Sequence, residues 1–253
     1  FSPPDGDHAW VPTAPGQRPL VPNWSTMRPL ALSSSDACQP PPPIPFSTHR
    51  DSEFFRQAKE VYDTTMNLSD EEIEIALFWS DDPGATGTPA GHWVSIANSI
   101  VSDLGLSLDR TVEMYALLGI AGADAFISCW DEKYRSYLVR PVTYIQEHID
   151  SSWDTLLVTP SFPEYTSGHS NISGASAMVL TSLFGALPFD DDLHAGRGLP
   201  SRSFASFTEA AQEAAISRLY GGIHYPMGIE LGVKQGQCVG RNVMNKVRTR
   251  QLR

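Results

Sequence analysis

The chain has little cysteine, little positive charge, and no uninterrupted apolar run long enough for a membrane span. Only Cys38, Cys129 and Cys238 occur in 253 residues. They form no CxxC pair and no metal-ligand spacing. An odd count implies no disulfide framework and does not fix the compartment. Cys129 sits in an apolar run and reads as a buried thiol. Lys and Arg total 18 against 29 Asp and Glu, for a net charge of −11. That balance argues against nucleic acid or an anionic membrane as partner. The uncharged stretch from Asn171 to Phe189 is broken by polar residues and glycines such as Asn171, Ser173, Gly174, Thr181 and Gly185. No leader is visible, and because the chain opens at Phe1 that observation carries no weight. There is no internal repeat. A Gly-rich phosphate loop, an HExxH pair and a nucleophile elbow are also missing.

What is present is enough apolar sequence for a sizeable core: 41% hydrophobic and 19% charged residues. Residues 1–50 are Pro-rich, with Pro40 to Pro43 in a row. Such composition fits a linker, but the spaced aromatics Trp10 and Trp24 favour an extended arm packed on a body formed by residues 51–253. Helical spacing runs from Asp51 to Asn67 through Phe54, Ala58 and Val61. Ser69 and Glu72 form a capping box for the next helix, which ends at Asp81-Asp82-Pro83-Gly84. A third helix follows Pro89 to about Leu104, and His92 within it reads as a structural or pocket-wall residue. A fourth, capped by Ser107, runs from Leu108 to about Tyr134. Gly119 and Gly122 are expected to allow close packing there, and Asp124, a lone acid in an apolar run, needs a hydrogen-bond or Arg partner. Pro141 opens a fifth helix. Pro188 to Ser206 reads as a loop over the site, Phe207 to Tyr220 as a helix, and Pro226 to about Val247 as the last. About eight helices and no convincing strand make an all-α helical bundle with a Pro-rich N-terminal arm.

The chemistry concentrates in Ser167-Gly168-His169. Placed at the start of a helix, these residues offer a hydroxyl, free backbone N–H groups and an imidazole to an anion. Alone, Ser167 would be an N-cap on a core helix. Lys133 and Arg140 upstream, and Arg218 downstream, change that reading. Each cation sits in an apolar neighbourhood and needs a compensating charge when buried. A tetrahedral oxyanion held between them would supply it.

The three blocks Lys133-x6-Arg140-Pro141, Ser167-Gly168-His169 and Ser217-Arg218-x5-His224 resemble the signature of the vanadium-dependent haloperoxidases and type 2 phosphatidic-acid/acid phosphatases. The stretches Trp10-Val-Pro-Thr and Pro22-Asn-Trp-Ser are similar to the arm entering the second half of bacterial vanadium haloperoxidases. The resemblance covers nearly the whole chain and implies a vanadate cofactor. His224 would be the metal ligand. Lys133, Arg140 and Arg218, with the Ser167 hydroxyl and the Gly168 N–H, would hold the oxyanion. His169 would act as acid/base, Lys133 would polarise the transferred oxygen, and Trp130 and Phe162 would wall the pocket. The implied reaction is oxidation of iodide or bromide by hydrogen peroxide, with small organic halogen acceptors as further partners. Relatives of this kind usually carry another helical half, so self-association or pairing with such a half is expected. A secreted or periplasmic setting is expected over a cytoplasmic one.

Two other readings stay open. An acid phosphatase would use the same cradle, with His224 as a phospho-histidine nucleophile. That pattern places an Asp four residues on, where this chain has Gly228, with Glu230 two residues late. The gap weakens the phosphatase reading and leaves open what orients His224. The remaining alternative is a catalytically dead bundle holding a fixed anion.

Overall fold

The computed structural model describes residues 4, 6–84 and 86–249, so the ends of both expected segments fall outside it. Eight α-helices account for most of the described chain: α1 (Glu53–Met66), α2 (Asp70–Phe78), α3 (Thr88–Leu104), α4 (Leu108–Ser136), α5 (Pro141–His148), α6 (Gly168–Phe184), α7 (Phe207–Tyr220) and α8 (Pro226–Lys246). The capping box forms as expected: Ser69 N–H donates to Glu72 Oε2 at 2.8 Å, and Glu72 N–H to Ser69 Oγ at 3.3 Å.

Helix α6 is the centre, packed against α8, α7 and α4. Its buried face is built of small residues, Ser170, Ser173, Gly174, Ala175 and Ser176. Helix α8 meets it with glycines at every fourth position: 228, 232, 236 and 240. A Cβ on Gly236 would lie 1.9 Å from the Asn171 carbonyl oxygen, so the two backbones touch there. Gly119 and Gly122 have open space beside them, contrary to expectation. They stand on a less crowded face of α4, and the close approach belongs to α8.

Helix α4 is long and apolar enough to cross a membrane by length and composition alone. Here it runs through the bundle with Asp124 and Lys133 both fully buried. Asp124 accepts from the backbone N–H groups of Leu30, Ala31 and Leu32 at 2.7, 2.7 and 2.8 Å. Its partner is therefore the N-terminal arm and not an Arg. Trp24 of the arm stacks on Phe126 of α4 at 4.9 Å, and Trp10 N–H donates to the Tyr137 carbonyl at 2.8 Å.

Two further expectations need correction. Cys38 and Cys238 form a disulfide, with Cα atoms 5.8 Å apart and 200 residues between them in sequence. Only the fold brings such distant positions together, so an odd count excluded nothing. Cys129 is the buried free thiol expected. The segment Pro188 to Ser206 holds two short antiparallel strands, β1 (Phe189–Asp191) and β2 (Arg202–Phe204), with Phe189 opposite Phe204. Three residues are too few for alternation to be read from sequence. The pair forms because both Phe side chains bury together beside Phe207.

Candidate functional site

Ser167 caps α6, its Oγ accepting from Ser170 N–H at 3.3 Å, so Gly168 and His169 form the first helical turn. Lys133 reaches this point from the last turn of α4. Arg140 comes from the N-terminus of α5 and Arg218 from the last turn of α7. His224 follows two residues after the Gly221-Gly222 break and stands just before α8. Lys133, Arg140, Ser167, Arg218 and His224 are all buried, and the His169 side chain is 18% exposed.

Backbone carbonyls anchor the three cations. Lys133 Nζ donates to Pro163 O (3.0 Å) and Glu164 O (2.9 Å). Arg140 Nε donates to Phe162 O (2.9 Å) and Nη1 to Ile223 O (2.7 Å). Arg218 donates through Nη2 to Trp79 O (2.5 Å) and through Nε to Ser217 Oγ (2.9 Å). Among the described residues none of the three lies within ion-pair reach of a carboxylate. Burial accordingly pushes Lys133 down to about 7 and both arginines down to about 10. Arg140 Nη2 and His169 Nε2 are buried without hydrogen-bond partners.

Phe162 lies under two of the cations, 4.8 Å from Lys133 Nζ and 4.9 Å from Arg140 Cζ, and Trp130 meets Phe162 at 5.0 Å. All nine residues singled out from the sequence therefore fall in one region.

Sequence reasoning missed Glu164. His224 Nδ1 lies 2.7 Å from Glu164 Oε1, which also accepts from Tyr225 N–H at 3.0 Å. A carboxylate partner means that Nδ1 carries the proton, leaving the Nε2 lone pair free. Nε2 faces Arg140 Nη1 at 3.3 Å. Burial, and then the Arg140, Lys133 and Arg218 charges, hold His224 well below its ordinary pKa, so the ring is neutral. Gly228 completes the explanation. A Cβ there would sit 2.4 Å from Glu164 Oε1. The orienting carboxylate has moved to another segment, and the glycine makes room for it. The sequence signal was available in Pro163-Glu164, a carboxylate next to the motif.

His169 is held well below its ordinary pKa by burial, then by the Arg218, His92 and Lys133 charges. His92 is buried under Trp79, stacked at 4.3 Å, and stands between Asp81 and Asp191. Burial opposes its charge, but the two carboxylates outweigh burial and lift it to about 9.

Convergent buried cations, an oriented imidazole and a helix N-terminus in an all-α bundle are the groups that could hold an oxyanion. A profile of the VCPO second helical-bundle domain matches residues 113–251. The chain belongs to this family, the helical-bundle domain of the vanadium haloperoxidases. It is 48% identical to a bacterial vanadium-dependent iodoperoxidase of known crystal structure, over 96% of this chain and 60% of that one, with a TM-score of 0.92. The fold also matches a bacterial vanadium-dependent chloroperoxidase in its holo form (21% identity, 92% and 57% of the two chains, TM-score 0.71). A bacterial chloroperoxidase in its apo form matches as well (18%, 97% and 64%, TM-score 0.77). The chain thus spans 57% to 64% of the length of these proteins. A search of curated protein sequences finds no match.

Proposed function

We propose that this domain is the catalytic bundle of a vanadate-dependent haloperoxidase that oxidises iodide, and with less ease bromide, using hydrogen peroxide. The observation that carries the reading is the set of three buried cations without a carboxylate ion pair around a His224 whose Nε2 is left unprotonated by Glu164 and is approached by Arg140 Nη1 at 3.3 Å. The residues fit vanadate: the orphaned Arg140 Nη2 and His169 Nε2 are polar atoms in want of a partner, and the cations want an anion. Bound vanadate would supply the oxygen transfer from peroxide to halide.

The chain's own residues do the rest. Lys133, Arg140 and Arg218 would spread the oxyanion's charge, with the Ser167 hydroxyl and the Gly168 N–H as neutral donors. His224 Nε2 would be the one protein ligand to the metal, held in the right tautomer by Glu164. His169, neutral because of burial and then its cationic surroundings, would take a proton from incoming peroxide at Nε2. Trp130 and Phe162 would give the halide an apolar wall and limit water.

The Glu164–His224 pair would equally serve a phospho-histidine nucleophile, so the missing carboxylate at position 228 no longer separates the two activities. The similarity to an iodoperoxidase favours halide oxidation. The test is halide oxidation with peroxide before and after adding orthovanadate, beside a phosphate monoester assay. Vanadate-dependent hypoiodite formation that His224→Ala abolishes is the expected outcome. Phosphate release without halide oxidation would move the domain to the phosphatases.

A secreted or periplasmic setting is part of the proposal, supported by the Cys38–Cys238 disulfide. So is pairing with a second copy or a further helical half. The exposed Leu104, Leu108 and Val112, where α3 turns into α4, support a partner surface there. Sedimentation showing only monomer at micromolar concentration would count against self-association.

A further inference from the structure

A second group of ligand-type side chains lies beside the cradle and has no part in holding the oxyanion. Asp81, His92 and His194 are all buried, and one ligand atom from each lies within 4.8 Å of the others. They come from three places: the turn after α2, the first turns of α3, and the segment between β1 and β2. Asp81 is the hub. Both its oxygens lie 3.0 Å from His92 Nδ1, and Oδ1 lies 3.8 Å from His194 Nε2.

His194 supplies the independent observation. Its residue is 1% exposed, and its Nε2 is buried without a hydrogen-bond partner. The nitrogen faces a carboxylate at a distance too long for a hydrogen bond, while His194 Nδ1 lies 3.4 Å from Arg197 Nη1. A cation between two donors 3.8 Å apart sits at ordinary coordination distance from both. Behind the cluster, Asp191 Oδ2 lies 2.7 Å from His92 Nε2. A carboxylate on one imidazole nitrogen is the arrangement that aims the other nitrogen at a metal and raises its basicity. Trp79 stacks on His92, and Phe78 packs against both imidazoles at 5.5 and 5.0 Å, so aromatic rings hold both imidazoles in place.

We propose that Asp81, His92 and His194 bind one divalent transition-metal cation of the zinc class. An Asp81 oxygen, His92 Nδ1 and His194 Nε2 would be the ligands, and Asp191 would steady His92 from outside. Two imidazoles and a carboxylate suit zinc or cobalt, and exclude the all-oxygen chemistry of magnesium and calcium. The cation replaces the proton shared between His92 Nδ1 and Asp81, and that proton leaves to solvent. The bound metal would pin the β1–β2 segment onto α2 and α3. It would also fix Asp81, whose Oδ2 lies 3.8 Å from His169 Nε2 at the edge of the cradle. The proposal does not rest on vanadate binding or on haloperoxidase activity.

The test uses chelator-treated, vanadate-free protein titrated with Co2+, read by the visible absorption of low-coordinate cobalt and by zinc competition. Expected is one cobalt per chain, displaced by zinc, with zinc raising the melting temperature. His194→Ala should lose the cobalt spectrum and the zinc-induced shift. Asp191→Asn should weaken binding about 10–100-fold, as loss of an outer carboxylate does. His148→Ala, on the half-buried ring beside Glu147, should change nothing. Circular dichroism of each variant establishes folding, and Asp191→Asn decides if His194→Ala does not fold. No cobalt spectrum in the wild type, or equal affinity in the wild type and a folded variant at 191 or 194, overturns the proposal.

Discussion

Glu164 governs the site at the scale of single residues. Burial raises its pKa to about 7 against the opposing charges of Lys133 and Arg140, so a neutral amide there should leave the fold intact. Glu164→Gln is expected to weaken vanadate binding on the order of 10-fold, because the His224 partner remains but its charge is lost. Equilibrium titration of vanadate checks this, and unchanged affinity would remove Glu164 from the positioning role. Lys133 sets a pH dependence. With its pKa lowered to about 7 in the free cradle, Lys133 is charged below that value and neutral above it. A bound oxyanion favours the charged form, so binding above pH 7 requires uptake of a proton. Affinity for vanadate should be greatest below about pH 7 and fall as pH rises, by up to about tenfold per pH unit from this group. Titrations across that range should show the fall, and Lys133→Met should flatten it.

Helix α8 is where element-scale packing decides the geometry. Its glycines at 232 and 236 let the α8 backbone lie against the start of α6, which carries Ser167 to His169. Gln235 ties the same contact together: Nε2 donates to Ser128 O and Oγ of α4, each at 3.0 Å, and Oε1 accepts from Thr166 Oγ1 at 2.6 Å. A methyl group at Gly236 would meet the Asn171 carbonyl at 1.9 Å, and backbone cannot yield as a side chain can. Gly236→Ala should therefore cost about 3 kcal/mol or more, at the upper end of overpacking effects. Thermal unfolding should show a drop of roughly 6–12 °C for a chain of this size. A drop under a degree would mean that α6 and α8 slide apart easily and that the cradle tolerates the shift.

Over the whole molecule, the arm and the C-terminal helix close a circuit. Cys38 follows the turn that Asp124 holds, and Cys238 lies on α8, so the disulfide ties residues 1–50 to the last helix across 200 residues of chain. A loop that long loses much entropy on closure. Cys38→Ser is expected to lower stability by roughly 2–5 kcal/mol in non-reducing buffer. A reductant should produce the same fall in the wild type and none in the variant, which denaturant titrations would resolve.

The sequence alone determined the helices and the members of the cradle. A capping box at Ser69, prolines at first turns and apolar spacing are local signals, and they marked the helices because nearest neighbours decide helical ends. Lys133, Arg140 and Arg218 could be read because cations in apolar sequence need a partner, and Ser167, Gly168 and His169 because they open a helix; His224 was marked only by the resemblance of the three blocks to a known family. The tertiary structure alone decided what depends on distant residues meeting. Glu164 serves His224 from 60 residues away, and Gly228 is explained by the carboxylate that its missing side chain admits. Cys38 found Cys238, and the alternation that would have announced β1 and β2 was too short to read. The glycine row of α8 is plain in sequence, but it means close approach only once α6 is known to lie against it. Each of these is a contact between segments, and chain order carries no energy for such contacts until the fold brings the segments together.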